Sequence, residues 1–215
     1  MTDIVTVIER ALKKAPIIPV LVIDDANEAV PLAKALVAGG LTVLEVTLRT
    51  PAAMDAIAAM TSVNGAIIGA GTLTEPIQFR AVSNAGARFA VSPGFSPELS
   101  DAASEAGIFY LPGVATASEV IAAQARGHSF LKFFPAEAAG GVPMLSALGG
   151  PFPDIIFCPT GGISVLQLAK YMALPNVLSV GGAWVAPRDL VKARDWRAIT
   201  ALAREAVDIA ASVKN

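Results

Sequence analysis

The chain has 215 residues, of which 54% are hydrophobic and 16% charged, with a formal charge of −2 and one cysteine. That length fits one domain spanning 1–215, and no low-complexity linker or charge run divides it. A balance this neutral, without basic clusters, excludes an electrostatic surface for nucleic acid or anionic membrane; a lone Cys158 excludes an intramolecular disulfide, and the chain reads as cytoplasmic.

The first predicted element is an amphipathic helix that places Ile4, Val7, Ile8, Ala11 and Leu12 on one stripe, with Glu9, Arg10, Lys13 and Lys14 largely off it. It lacks the uninterrupted apolar core of a secretion signal. Mean hydropathy is +0.60, yet the longest uncharged stretches, 56–74 and 171–187, are broken by Gly, Asn, Pro, Ser and Thr and are not membrane spans. The surplus of apolar residues points to a large core and a buried subunit interface.

Strands are predicted at 17–23, 41–48, 66–72, 89–92, 108–111, 130–134, 155–158 and 177–180. Nearly all are continuous apolar runs, the pattern of parallel strands covered on both faces. Helices fit between them at 27–38, 97–106, 118–126 and 164–172, and 196–213 closes the series. Gly40, Gly65, Gly86, Gly107, Gly127 and Gly149 recur every 20 to 25 residues, most of them between a helical pattern and an apolar run. Glycine there predicts the left-handed residue that ends a helix. Eight such units predict a (β/α)8 TIM barrel with an additional N-terminal helix. An open doubly wound sheet is the alternative, but it concentrates its site at one switch point, whereas polar residues here end many strands.

In a barrel, chemistry belongs at the C-terminal ends of the strands. The second strand ends Leu44-Glu45-Val46-Thr47-Leu48-Arg49, and period-2 alternation turns Glu45, Thr47 and Arg49 to one face. The third ends Gly69-Ala70-Gly71-Thr72, the fourth Ser92-Pro93-Gly94-Phe95, the seventh Pro159-Thr160-Gly161-Gly162 and the eighth Gly181-Gly182-Ala183. The sixth carries Lys132 within Phe130-Leu131-Lys132-Phe133-Phe134, so both faces of that strand are apolar apart from one amine.

Burial disfavours an ammonium and yields a neutral amine suited to forming a Schiff base with a ketone. Glu45 is placed to move protons, and Arg49 to grip a carboxylate with two parallel hydrogen bonds. Gly161, Gly162 and Gly182 leave backbone N–H groups free to face a phosphate. The substrate read from these residues has a ketone beside a carboxylate at one end and a phosphate at the other. Structural readings compete at each position: a Glu45–Arg49 ion pair, a Lys132 that reaches a strand end to pair with a carboxylate, and Gly-Gly pairs that are only tight turns. Cys158 reads as inert core and His128 as a solvated residue on the far side of the barrel. With one histidine and no carboxylate cluster, a metal-dependent aldolase or hydrolase is disfavoured.

These motifs, together with Ile17-Ile18-Pro19-Val20, Phe134-Pro135-Ala136-Glu137 and Phe157-Cys158-Pro159, run in order through essentially the whole chain. The sequence resembles the 2-keto-3-deoxy-6-phosphogluconate (KDPG) aldolases, class I lyases of the Entner-Doudoroff pathway. The resemblance implies the Schiff base at Lys132, acid–base work at Glu45, and binding of the pyruvyl carboxylate by Arg49 and Thr72. It also implies that Pro93, Phe134 and Thr160 surround the substrate, with the Gly161-Gly162 and Gly182-Ala183 backbone near the phosphate. It implies neither metal nor organic cofactor, and a homotrimer. Ala183 departs from relatives that carry serine, which implies a phosphate held by backbone amides and a weaker preference for phosphorylated substrates. The rival readings are a sister aldolase for the phosphogalactonate epimer or 4-hydroxy-2-oxoglutarate, a barrel isomerase using Glu45 as base, and a catalytically silent phosphosugar-binding protein.

Overall fold

The computed structural model describes residues 2–214, excepting the side chains of 2–6, 9 and 214. Helix α1 (Thr2–Lys14) leads into β1 (Ile17–Leu21), and strands and helices then alternate: α2 (Ala29–Ala38), β2 (Val43–Thr47), α3 (Ala53–Met60), β3 (Ile67–Gly71), α4 (Pro76–Asn84), β4 (Phe89–Val91) and α5 (Pro97–Ala106). After β5 (Phe109–Leu111) and β6 (Gly113–Val114) come α6 (Ala117–Ala125), β7 (Phe130–Phe133), α7 (Gly141–Gly149), β8 (Ile156–Pro159), α8 (Val165–Met172), β9 (Val180–Gly182), α9 (Arg188–Lys192) and α10 (Trp196–Lys214).

The result is an α/β fold built on curled parallel sheet. Six strands follow the order β5-β4-β3-β2-β1-β9, and three more the order β6-β7-β8. The first order never reverses direction, so it contains no switch point of the doubly wound kind. Only Pro112 separates β5 from β6; proline has no N–H to donate to a ladder, which splits a predicted single strand in two. Its carbonyl still accepts from the Lys132 N–H at 2.8 Å. At the other edge, two isolated parallel bridges, Phe157 to Val177 and Thr160 to Gly181, join the chain around β8 to that around β9.

Side-chain alternation sorts the core into two layers. Ile17, Leu44, Ala70, Leu131, Phe133 and Phe157 face outward under the helices, while Ile18, Val43, Phe89, Val91, Leu111, Phe130 and Cys158 form a smaller inner cluster. Helix α1 seals the inner cluster with Ile8 and Leu12, as its predicted stripe requires, whereas Val7 is exposed; the side chains of Ile4 and Glu9 lie outside those described. Helix α10 packs against α2 and α8. No helix among the described residues is long and apolar enough to cross a membrane.

Five of the six rhythmic glycines have the left-handed backbone predicted for helix stops, with φ from +64° at Gly107 to +98° at Gly86. Gly149 does not. It is the last residue of α7, and smallness is what its place demands: a Cβ there would lie 3.2 Å from Nδ2 of buried Asn176, which donates to the Leu145 carbonyl. The eighth strand begins at Val180, not Val177, because its continuous ladder is with β1, starting at Ile17↔Val180; Val177 makes only an isolated bridge to Phe157. His128 is not a solvated residue. It is half-buried, its Nε2 lies 2.8 Å from Ser100 Oγ, and its ring meets those of Tyr110 and Phe95 edge-on. Burial lowers its pKa from the usual histidine value.

Candidate active site

The inner face changes character two residues above the inner apolar cluster. Val43 and Phe130 belong to that cluster, and the next inward residues on the same strands are Glu45 and Lys132. Lys132 is 4% exposed and Glu45 2%, and Lys132 Nζ donates to Glu45 Oε1 at 3.3 Å. Both competing readings of these charges are thereby decided as geometry: Glu45 pairs with Lys132 and not with Arg49, and the lysine does have a carboxylate partner. A buried pair of this kind is poor evidence for a purely stabilising role, because removing two ions from water cancels most of their attraction. The Phe134 ring centroid lies 5.3 Å from Nζ, at cation–π distance.

The remaining residues of β2 divide their work. Thr47, fully buried, donates to the Leu21 carbonyl at 2.9 Å and ties the end of β2 to β1. Arg49 is exposed and its Nε donates to Thr72 Oγ1 at 3.2 Å. Thr72 has φ +65°, a region that a β-branched residue enters at a cost. That strain lies at the mouth of the curl, on a hydroxyl already linked to a guanidinium, which makes Thr72 a candidate position.

Pro93 is held by a turn that Ser92 organises. Ser92 Oγ donates to the Gly94 carbonyl at 2.6 Å, so the Tyr110 hydroxyl, also at 2.6 Å, is the donor to Ser92. Burial raises the Tyr110 pKa to about 12, which keeps that proton in place. The Pro93 carbonyl lies over Gly113, where a Cβ would meet it at 2.3 Å, and Gly113 is the register partner of Lys132.

On the opposite wall, Thr160 is buried and its carbonyl accepts from Ala136 N at 2.8 Å. Gly161 (φ +104°) and Gly162 (φ +79°) follow in left-handed conformations that turn the chain into α8. Their N–H groups have no acceptor among the described residues. Gly161 packs on the Phe134 ring, which links this turn to the lysine strand. Gly182 is buried beneath the Trp184 ring and Ala183 is exposed beside it. Cys158, inward-facing and paired in register with Lys132, is held as a neutral thiol, burial pushing its pKa up to about 11.

The structure thus brings Lys132, Glu45, Phe134, Pro93, Thr160 and Gly161 into one contact network at the strand ends, with Arg49 and Thr72 forming a second cluster on the neighbouring strands. Three neighbouring residues had no role assigned from sequence. Glu137 accepts from Gln167 Nε2 at 2.5 Å and from the Tyr171 hydroxyl, anchoring the Gly161-Gly162 turn to α8. Trp184 covers Gly182 and buries an indole N–H that has no acceptor among the described residues. Ser92 was visible only as part of a Ser-Pro-Gly turn. Among the described residues, no three His, Cys, Asp or Glu side chains gather as a metal site would require.

The chain's likeness to known proteins agrees with this geometry. The model of the KDPG and KHG aldolase family matches residues 8–202. A 2-dehydro-3-deoxy-phosphogluconate aldolase of Pseudoalteromonas atlantica is 55% identical over 206 residues, 95% of this chain and 96% of its own. The crystal structure of KDPG aldolase from Legionella pneumophila, with pyruvate captured as a covalent carbinolamine, superposes with a TM-score of 0.86 at 48% identity, covering 89% of this chain and 93% of the other. The Zymomonas mobilis enzyme with 3-phosphoglycerate gives 0.89 at 46% identity, covering 93% and 94%. With a family match across most of its length and relatives identical at about half of all positions, the chain belongs to the KDPG and KHG aldolase family.

Proposed function

We propose that the protein is a Schiff-base aldolase, a lyase that cleaves KDPG reversibly to pyruvate and D-glyceraldehyde 3-phosphate and also accepts 4-hydroxy-2-oxoglutarate. The observation that carries this reading is the buried Lys132 with Glu45 at 3.3 Å, at the C-terminal ends of parallel strands. Proton transfer to Glu45 across that contact frees the amine, which attacks the C2 ketone. Glu45 returns that proton to the carbinolamine hydroxyl, which leaves as water; this restores the carboxylate and gives a protonated imine, an electron sink that makes metal or organic cofactor assistance unnecessary. Glu45, directly or through a water, takes the C4 hydroxyl proton; the C3–C4 bond breaks, its electrons pass into the imine, and the aldehyde leaves. Protonation of the enamine at C3 and hydrolysis return pyruvate and free Lys132.

Arg49 and Thr72 hold the pyruvyl carboxylate, and Pro93, Phe134 and Thr160 border the carbon chain. The unpaired N–H groups of Gly161 and Gly162, with the Gly182-Ala183 backbone, receive the phosphate. Because Ala183 brings no hydroxyl, those amides carry the phosphate contact, which favours some tolerance of the unphosphorylated substrate. The two sheets are read as one closed (β/α)8 barrel in a single domain over 1–215, on the strength of the Pro112 junction and the Thr160–Gly181 bridge. Exposed Ile77, Ile121 and Leu166 supply apolar surface for a cytoplasmic homotrimer, for which sedimentation gives three times the 22.0 kDa chain mass.

Steady-state release of pyruvate from KDPG, its phosphogalactonate epimer and 4-hydroxy-2-oxoglutarate tests the substrate assignment. The highest kcat/KM belongs to KDPG; equal or greater efficiency with the galactonate epimer overturns it.

A further inference from the structure

Glycine at the inward-facing position 71 is not explained by the backbone, which has no positive φ there. It is explained by Glu45. A Cβ on Gly71 would lie 2.0 Å from Glu45 Oε1, 2.6 Å from Cδ and 2.7 Å from Cγ, so the glutamate side chain occupies the volume that any other residue would fill. The register makes this a directed arrangement. Glu45 pairs across the ladder with Gly69, and Thr47 with Gly71, so the carboxylate leans two residues up the neighbouring strand toward the mouth. Gly69 gives no alternative resting place, because the Phe89 ring fills the space above it, with a Cβ there 2.3 Å from the ring. At 2% exposure Glu45 has no solvent to retreat into. The same device recurs across the curl, where Gly181 leaves room for Thr160 Oγ1, 2.1 Å from its missing Cβ.

We propose that Gly71 is a positioning residue for the proton-transferring carboxylate: its absent side chain is the notch in which the Glu45 carboxylate lies, and filling that notch moves Glu45 away from Lys132. The consequence for catalysis rests on the reading of Glu45 as the acid–base group; the steric claim does not. A methyl at position 71 forces the carboxylate to another rotamer and breaks the contact with Nζ, leaving the amine in place without its proton partner.

The test compares Gly71→Ala, Glu45→Asp and the double variant with the unmodified protein. In a crystal structure of Gly71→Ala, Glu45 Oε1 and Lys132 Nζ are no longer within hydrogen-bond distance; an unmoved carboxylate overturns the proposal. In kinetics, Gly71→Ala lowers kcat by about 100-fold, in the range of a lost general acid–base group, and KM by no more than about threefold either way. Exchange of pyruvate methyl protons with deuterium slows in parallel, while end-point borohydride trapping of pyruvate on Lys132 stays complete. The shorter side chain of Glu45→Asp vacates the notch, so adding Gly71→Ala to it costs less than about threefold further; fully multiplicative losses contradict a shared volume. Should Gly71→Ala fail to fold, Glu45→Ala restores folding to it, and failure of that pair as well refutes the notch. If the unmodified protein itself is not trapped at Lys132, the aldolase reading falls, and the crystal structure still decides the notch.

Discussion

Lys132 and Glu45 were legible as candidates because a charge inside an apolar run contradicts the local pattern, and the structure brings the two into one buried contact. Thr72 carried no such contradiction in sequence; its meaning lies in φ +65° and the bond from Arg49, neither of which side-chain chemistry announces. The strained threonine makes a prediction. Thr72→Gly relieves about 1–2 kcal/mol of left-handed strain while giving up only an exposed hydrogen bond, so the variant melts several degrees higher than the parent. It also loses the hydroxyl proposed for the pyruvyl carboxylate, so its KM for KDPG rises. A thermal melt and a KM measurement check both signs, and a variant that is less stable shows that Thr72 is not strained.

At the scale of elements, the strand runs and helix boundaries were readable because each obeys a local rule. Pro97–Ala106 lies where the pattern places it, between the Ser96 N-cap and the left-handed Gly107. What escaped were contacts between elements. Glu137 is exposed in a loop and stood out in sequence only as the end of a motif, yet its carboxylate holds Gln167 and Tyr171 of α8, which are 30 and 34 residues away. Burial, then the Glu137 bond and charge, raise the Tyr171 pKa, so the phenol remains a donor. Removing the acceptor in Glu137→Ala leaves a buried hydroxyl unpaired and frees the Gly161-Gly162 turn, at a cost of about 1–3 kcal/mol in stability. Its KM for KDPG rises by about tenfold, equivalent to about 1.4 kcal/mol, while that for unphosphorylated 4-hydroxy-2-oxoglutarate changes little. Equal losses on both substrates contradict a role at the phosphate end.

For the whole molecule, the repeat of helix, glycine and apolar run disclosed a curled parallel sheet without any pairing information. How the sheet divides was hidden: Pro112 interrupts one predicted strand, and only the isolated bridges Phe157–Val177 and Thr160–Gly181 join the chain around β8 to that around β9, details set by registry and not by hydropathy. His128 was misread for a related reason: a polar residue beside Gly127 looks solvated until α5 and the Tyr110 ring are placed around it. Its lowered pKa has a global consequence. Below the ordinary value near 6.5 the unfolded chain binds a proton that the folded chain resists, so stability falls as pH drops through that value, and the loss is complete below the lower folded pKa. Urea denaturation at pH 7.5 and then in steps below pH 6.5 shows this decline, and His128→Gln reduces its slope. An unchanged slope in the variant assigns the acid sensitivity to other groups.

The proposed chemistry stands on Lys132 as the nucleophile that joins pyruvate. Borohydride reduction in the presence of pyruvate, followed by intact mass and peptide mapping, addresses it directly. The expected product carries one reduced pyruvyl group per chain, located on Lys132, absent without pyruvate and absent in Lys132→Ala. An unchanged mass, or an adduct that maps elsewhere and persists in Lys132→Ala, contradicts it.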